Sequence, residues 1–130
     1  MPQYSGRMPR SKRTHLVLSD ETTELVAARF RALGDSSRLK ILNTLMAGEH
    51  GVSELVEATG LEQSNVSRHL AVLRREGLVE RETKGTRAYY KINDPSVIEL
   101  CEIVCGGIVG QLSETLEAFA GTRGPKRASR

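Results

Sequence analysis

The sequence has no tryptophan, and aromatic residues make up only 4% of its 130 residues. A chain of this length is expected to fold as one domain that is large enough for a hydrophobic core. Because 38% of the residues are apolar but so few are aromatic, the core must be aliphatic and modest in size. We therefore expect a small helical domain that gains stability by dimerising.

Long uninterrupted apolar runs are also missing. None approaches the roughly 20 residues that span a bilayer, and the amino terminus lacks the apolar core of a signal peptide. We therefore expect a cytoplasmic protein with no membrane partner, whose thiols stay reduced. The two cysteines, Cys101 and Cys105, then indicate ligands or redox sensors rather than a structural disulfide.

The residue types that catalysis requires are not grouped. His15, His50 and His69 are scattered, and no nucleophile–base pair, phosphate-binding glycine loop or complete metal-site spacing occurs. The sequence therefore predicts a binding protein and not an enzyme.

The net charge of +3 is unevenly distributed along the chain. Residues 1–18 and residues 121–130 each carry +4, whereas residues 19–120 carry −5. We predict a domain at 19–120 between two disordered basic tails, which either contact DNA phosphates or simply keep the protein soluble. Segment 61–91 carries a local +3, and a positive patch on an acidic body is typical of a DNA-binding protein.

Capping residues and glycine stops divide the middle of the chain into helices. We predict helices over about 20–33, 36–47 and 54–59. Their predicted N-cap residues are Ser19 or Asp20, Asp35 or Ser36, and Ser53. The residues of the second helix that we expect to face the core are Leu39, Leu42, Leu45 and Met46.

Segment 61–79 is the most informative part of the sequence. Val66, Leu70 and Leu73 recur at helical spacing and form an apolar seam, and Gly77 follows the last turn as a helix stop. The short helix before this segment and the turn between them complete a helix-turn-helix unit. We therefore predict a recognition helix that enters the DNA major groove.

Beyond the recognition helix, the pattern changes to two strands and a final helix. Segment 78–92, with a turn at 84–86, predicts a β-hairpin, which is the wing of a winged helix-turn-helix fold. The predicted fold class is mainly α with a small β-hairpin, in the order α-α-α-α-β-β-α.

The last predicted helix begins at Asp94-Pro95, with Asp94 as its cap, and is about 25 residues long. Its apolar stripe is too long for a protein of this size to cover alone. We therefore predict that the first and last helices form a dimer interface. The residues of the stripe are Val97, Cys101, Val104, Ile108, Leu112, Leu116 and Phe119.

Three sequence blocks resemble the ArsR/SmtB family of bacterial repressors, which sense metals, metalloids or redox signals. They are Ala32–Leu42 (ALGDSSRLKIL), Ser64–Leu78 with its Ser-Arg-His-Leu run, and Gly85–Ile92 (GTRAYYKI). The resemblance covers about residues 20–118. It implies a homodimer that binds a palindromic operator on double-stranded DNA and releases it when an effector binds.

The polar side chains of the recognition segment match the chemistry of base edges. Gln63 and Asn65 can bond adenine, and Arg68 can bond guanine. The other predicted DNA contacts are Ser64 and Ser67 to bases or phosphates, His69, and Lys84 and Arg87 of the wing to phosphates or the minor groove. Two alternatives stay open, in which Ser64 only caps the helix and His69 bonds within the protein.

Cys101 and Cys105 lie four residues apart and share one face of the last helix. Their Cβ atoms are then roughly 5–6 Å apart, whereas a disulfide needs about 3.5–4.5 Å. A soft ion can bridge the two thiolates through bonds of about 2.3 Å. The pair therefore predicts an effector site for As(III) or another soft thiophilic metal or metalloid, with interface packing as the simpler alternative.

The sequence departs from the family's better-known sensors. Arsenic sensors of the family carry cysteines in the helix before the recognition helix, and residues 52–60 contain none. No histidine follows residue 94, which argues against the family's zinc site, and a third thiolate would have to come from the other subunit. Redox or reactive-sulfur sensing by the same cysteines, or DNA binding without an effector, are the alternatives.

Overall fold

A computed structural model describes residues 16–123 of the chain. This part contains five helices and three strands, and their order matches the predicted winged helix-turn-helix apart from one added strand. The elements are α1 (Asp20–Leu33), α2 (Ser36–Leu45), β1 (His50–Gly51), α3 (Val52–Thr59), α4 (Gln63–Arg75), β2 (Val79–Lys84), β3 (Arg87–Ile92) and α5 (Pro95–Arg123). Most of both predicted tails lies outside the described residues, although α5 runs past the predicted domain end at residue 120.

The first two helices begin at predicted capping residues. Ser19 Oγ accepts a hydrogen bond from the Thr22 backbone N–H at 3.1 Å, and Asp35 Oδ2 accepts one from the Arg38 N–H at 3.1 Å. Each bond satisfies an amide that has no partner within its own helix. The capping pattern therefore located these two starts correctly, although α2 is slightly shorter than predicted.

The start of α3 differs from the prediction that Ser53 caps it. Strand β1 directly precedes the helix, so Gly51 takes the N-cap position and the helix begins at Val52. The Gly51 N–H donates to Glu54 Oε1 at 2.8 Å. Because β1 pairs with β3, which is distant in the sequence, local capping signals did not reveal this start.

The predicted hairpin is confirmed and belongs to a three-stranded antiparallel sheet in the order β1-β3-β2. β2 and β3 pair over their whole length, from Val79 opposite Ile92 to Lys84 opposite Arg87. Gly85 lies in the turn with φ of +66°, a conformation that glycine adopts without steric cost. The hairpin therefore reverses tightly and carries Lys84 and Arg87 at its tip.

The core formed by α2, α3, α4 and β2 is aliphatic, as the composition predicted. Its fully buried side chains are Ile41, Leu42, Leu55, Val66, Leu70, Leu73, Leu78 and Val79. The prediction for α2 was wrong at one position, because Leu39 is 40% exposed and Ile41 is buried instead. Ile41, Leu42 and Leu45 define the buried arc of this helix, and Leu39 lies outside it.

Apolar side chains lie exposed along α1 and α5 of the single chain. On α1 they are Leu25, Val26 and Phe30. On α5 they are Val104, Ile108, Leu112, Leu116 and Phe119 of the predicted stripe, whereas Val97 and Cys101 are buried. α1 lies in a compact unit that ends at Ile98, and most of α5 lies in a unit that begins at Glu99. Exposed apolar area of this extent is uncommon on monomeric proteins.

By length and composition alone, α5 also qualifies as a membrane span. Its segment Pro95–Phe119 reaches a mean hydropathy of 1.4, which corrects the expectation that no apolar stretch of that length exists. One such helix is weak support for a membrane span, since helices of soluble proteins meet the same criterion. The segment also contains Glu99, Glu102, Glu114 and Glu117, and carboxylates are costly within a bilayer.

Replacing Leu42 by alanine is expected to destabilise the protein strongly. Leu42 is completely buried, and deleting a buried leucine side chain costs about 2–5 kcal/mol because a cavity remains. Leu39→Ala on the same helix is the matched control, with an expected loss below about 1 kcal/mol. Denaturant unfolding followed by circular dichroism measures both variants, and equal losses would contradict the buried arc assigned to α2.

Candidate functional site

The recognition helix α4 is anchored through one apolar side. Val66, Leu70 and Leu73 are each at most 1% exposed, which confirms the predicted seam. α4 contacts α2, α3 and β2, and the positive φ of Gly77, +77°, follows its end at Arg75. The opposite side of α4 therefore faces away from the core.

That outer side carries the polar residues expected there: Gln63, Ser64, Ser67 and Arg68, all exposed. Asn65 is half-buried, and its Oδ1 accepts a hydrogen bond from Arg68 Nη2 at 2.8 Å. This bond orients the guanidinium group and occupies part of the Asn65 amide. The structure thus brings five of the predicted DNA-contacting residues together on the first two turns of α4.

Ser64 does not cap the helix. α4 begins at Gln63 with Glu62 in the N-cap position, where no side chain makes a capping bond. The alternative in which Ser64 serves only as a cap is therefore wrong, and its exposed hydroxyl is available to another partner.

His69 departs from the predicted set of DNA contacts because it lies on the inner side of α4. It is only 6% exposed, and its Nδ1 lies 3.2 Å from Arg38 Nη1 and 4.0 Å from Asp35 Oδ2. A ring enclosed in this way cannot reach a base edge. Its place in the sequence, three residues after Val66 and one before Leu70, puts it in the seam, and it bonds within the protein.

The side chain of Arg38 makes contacts that the sequence analysis did not predict. Its Nε donates to the Ala32 carbonyl at 2.6 Å and its Nη2 to the Arg31 carbonyl at 3.2 Å. Both carbonyls lie in the last turn of α1, where the helix supplies no further amide partners, and the Arg31 carbonyl also accepts from the Gly34 N–H at 3.2 Å. One guanidinium group therefore joins the end of α1, the start of α2 and the inner side of α4. The sequence signal for it was its position in the Ala32–Leu42 block.

Burial, hydrogen bonds and neighbouring charges determine the protonation states of Asp35 and His69, which lie beside Arg38. Burial lowers the pKa of His69, the Asp35 carboxylate opposes that shift, and the Arg68 and Arg38 charges add to it. The hydrogen bond from the Arg38 backbone N–H lowers the pKa of Asp35, and the positive charges of Arg38 and His69 lower it further. At neutral pH, His69 is therefore neutral and Asp35 is ionised.

At the wing, Lys84 already has an acidic partner. Its Nζ lies 2.8 Å from Glu49 Oε1 and 5.4 Å from the centre of the Tyr89 ring, and the hydrogen bond to Glu49 raises the pKa of Lys84. Arg87 is exposed and lies opposite Lys84 in the strand register. Sequence reasoning missed Glu49 because it is 35 residues from its partner.

The two cysteines are free thiols on α5, with Cys101 buried and Cys105 exposed. Burial raises the pKa of the Cys101 thiol, and the neighbouring Cys105 raises it further. An ion that binds both sulfur atoms must therefore displace a proton from Cys101, because metal ligands bind as thiolates.

Within residues 16–123, no group of three or more histidine, cysteine, aspartate or glutamate side chains is arranged to hold a metal ion. In this part of the chain, the cysteine pair therefore supplies two soft ligands and no third. That donor set fits a thiophilic metalloid or metal better than zinc, which prefers four ligands.

Comparison with known proteins places these features in a family. Residues 35–81 match the family model described as "Bacterial regulatory protein, arsR family". This segment contains α2, β1, α3, α4 and the start of β2, and hence the whole helix-turn-helix unit.

Two relatives are similar to more than half of the chain. The chain is 41% identical over 70 residues to the arsenical resistance operon repressor of Bacillus subtilis (strain 168), covering 53% of this chain and 67% of that protein. It is 39% identical over 77 residues to the probable mercury resistance operon repressor of Streptomyces lividans, covering 59% of this chain and 62% of that protein. The chain thus spans somewhat less than two thirds of the second relative.

Among solved structures, the chain is similar to a homodimeric winged helix-turn-helix DNA-binding domain from Mycobacterium bovis, a possible ArsR-family transcriptional regulator. The TM-score is 0.67 at 33% sequence identity, and the match covers 77% of this chain and 95% of that one.

Proposed function

Because the chain belongs to the ArsR family of bacterial regulatory proteins, we propose that it is a homodimeric repressor whose DNA affinity falls when a soft thiophile binds Cys101 and Cys105. Members of this family are DNA-binding transcription regulators and not enzymes. The observation that carries the DNA-binding part is the exposed polar side of α4 above a fully buried seam, together with a hairpin whose tip carries Lys84 and Arg87.

The first turns of α4 read the operator in the major groove. Gln63, Ser64 and Ser67 are exposed there, and Arg68 suits the paired acceptors of guanine. Asn65 presents its amide to adenine and, through the bond at 2.8 Å, holds Arg68 in place. A twofold dimer would set two such helices about one DNA turn apart and so select a palindrome.

The wing binds the DNA backbone beside that groove. Lys84 and Arg87 lie at opposite positions of the strand register at the hairpin tip, where both can approach phosphates or the minor groove. When Lys84 binds a phosphate, its ammonium group leaves the carboxylate of Glu49. This contact adds affinity without reading sequence.

A second copy of the chain covers the exposed apolar faces of α1 and α5. Five residues of the α5 stripe and three large apolar residues of α1 are exposed in one chain, and burial of such area stabilises an assembly. The homodimeric state of the M. bovis relative supports the same arrangement here. We place the dimer in the cytoplasm, because that is where a bacterial operator lies.

As(III) is the leading effector, with other soft thiophiles as close candidates. Cys101 and Cys105 share a helix face at a spacing that a bridging ion can span. The names of the two relatives associate them with arsenical and mercury resistance, and both elements favour thiolates. A third ligand would come from the partner copy, so binding on the dimerisation helix would alter how two subunits hold their recognition helices.

Reactive-sulfur or redox sensing by the same thiols is the second candidate. The exposure of Cys105 favours it, because an accessible thiol is needed for attack by an oxidant or polysulfide. Mass spectrometry of polysulfide-treated protein would detect added sulfur or an intersubunit disulfide. A DNA-binding protein without an effector is the third candidate, and it predicts that the cysteines never affect operator release.

Arg68→Ala and Lys84→Ala are expected to weaken DNA binding in different ways. Loss of Arg68 should cost about 1–3 kcal/mol and relax specificity, because a base contact is removed, whereas loss of Lys84 should weaken all sequences alike. Fluorescence anisotropy with a selected operator and a scrambled duplex measures both effects. A uniform loss in Arg68→Ala would argue against base reading by that residue.

Leu112→Glu is expected to produce monomers, because it puts a charge in the middle of the apolar stripe of α5. Ser113→Glu adds the same charge to the adjacent residue outside that stripe and should leave the dimer intact. Analytical ultracentrifugation distinguishes the two states. If both variants remain dimers, the α5 stripe is not the interface. If the wild-type protein is recovered only in the membrane fraction, it does not form a soluble dimer.

Arsenite is expected to dissociate the operator complex of the wild type but not that of Cys101→Ser/Cys105→Ser. Anisotropy titrations at fixed DNA occupancy measure the release, and each protein without arsenite provides the baseline. Arsenite is As(OH)3 near neutral pH, so the proton of each thiol leaves with a hydroxide as water, and the arsenite concentration for half-release should change little with pH below the raised thiol pKa of Cys101. Release from the double variant would show that the effector site lies elsewhere.

A further inference from the structure

We propose that Arg38 and His69 form a partly buried clamp that sets the orientation of the recognition helix, and that the clamp holds only while the His69 ring is neutral. The proposal concerns a positioning role, since neither side chain lies on the outer face of α4. It rests on the DNA-binding function proposed above.

Contacts with the surrounding protein hold both residues of the clamp in place. Arg38 is fixed by the carbonyls of Ala32 and Arg31, at 2.6 and 3.2 Å, so its Nη1 has a defined direction towards α4. His69 meets that nitrogen at 3.2 Å and is only 6% exposed. Hydrophobic burial turns the seam of α4 towards the core but is not itself directional, whereas a hydrogen bond is.

The chemistry of the two groups fixes the protonation state of the ring. An arginine side chain only donates hydrogen bonds and stays charged in proteins. The Nδ1 atom of His69 must therefore accept, which leaves the ring proton on Nε2. If Nδ1 gained a proton, two donors and two positive charges would face each other at 3.2 Å.

Asp35 offers a protonated ring another partner. Its Oδ2 lies 4.0 Å from His69 Nδ1 and also caps α2 by accepting from the Arg38 N–H. A protonated His69 would leave Arg38 and move towards this carboxylate. That movement would shift α4 and weaken the cap of α2 at the same time.

The charged groups that act on His69 are Asp35 before α2, Arg38 on α2 and Arg68 on α4. Burial is the largest influence and lowers the pKa of His69 below its ordinary value, the Asp35 charge raises it, and the two arginines lower it. Because the pKa of His69 is lower in the folded protein than in the unfolded chain, the free energy of unfolding is smaller in acid. The unfolded chain takes up the proton first, so stability is lost as pH falls from about 6.5 through the lower folded-state pKa.

The expected effect on DNA binding has a distinctive sign. Ser67 and Arg68 immediately precede His69, so a movement of the ring displaces two proposed DNA contacts. Operator affinity should therefore fall in acid. A histidine that touched DNA directly would gain a positive charge and bind phosphates more tightly in acid.

His69→Gln tests the clamp, because the glutamine amide oxygen can accept from Arg38 but does not titrate. The probe is a duplex selected from a random pool by the wild-type protein at about pH 8, and its affinity is compared at about pH 5.5. The wild type should lose more affinity than His69→Gln, and because the pKa of His69 is lowered, that loss should stay below the roughly tenfold expected at about pH 5.5 for a histidine with an ordinary pKa of about 6.5. His50→Gln is the matched control, since His50 bonds the Gly48 carbonyl at 2.7 Å and should follow the wild type.

A second measurement needs neither DNA nor a variant. Nitrogen NMR of the wild-type histidine rings should find His69 with its proton on Nε2 at neutral pH, and the α4 amide shifts should change with the midpoint of that ring. Three results would each overturn the clamp. They are a ring proton on Nδ1 of His69, α4 amide shifts that do not change at the midpoint of the His69 titration, and a loss of operator affinity in acid that is equal in His69→Gln and the wild type. Failure of the wild type to prefer its selected duplex over a scrambled one at about pH 8 would instead refute the DNA-binding function, and the NMR result would still decide the clamp.

Discussion

The presentation of α4 to DNA depends on the burial of one narrow seam. Val66, Leu70 and Leu73 exclude water completely or nearly so, and this burial turns the polar residues outward. Since successive residues of a helix are about 100° apart, a rotation by one position would turn Arg68 away from the exposed side of α4. In the proposed clamp, the bond between Arg38 and His69 adds a directional contact to this apolar interface.

Much of this fold was predictable because its signals are local. Ser19 and Asp35 mark helix starts through bonds to amides within the next turn, and Gly85 marks the hairpin through its own backbone conformation. The seam and the outer face of α4 followed from helical spacing alone. For the same reason, four of the residues expected to read DNA are exposed together on that helix.

Other features were not predictable because they depend on distant residues. Pairing between β1 and β3 moved the start of α3, and the carbonyls of α1 explain the role of Arg38. His69 has the polar character of a DNA-contacting residue but occupies a position in the seam. The different burial of the two thiols on α5 also required coordinates, since spacing showed only that they share a face.

In the proposed complex, Lys84 would meet DNA with a counterion already in place. A phosphate that binds Lys84 frees the Glu49 carboxylate, which lies 2.8 Å from the ammonium group in the unbound protein. DNA releases a condensed cation when a phosphate is neutralised, while the freed carboxylate attracts one from solution. The number of free ions therefore changes less than it does for an unpaired lysine. We therefore expect the proposed wing contact to depend less on ionic strength than a phosphate contact made by an unpaired lysine.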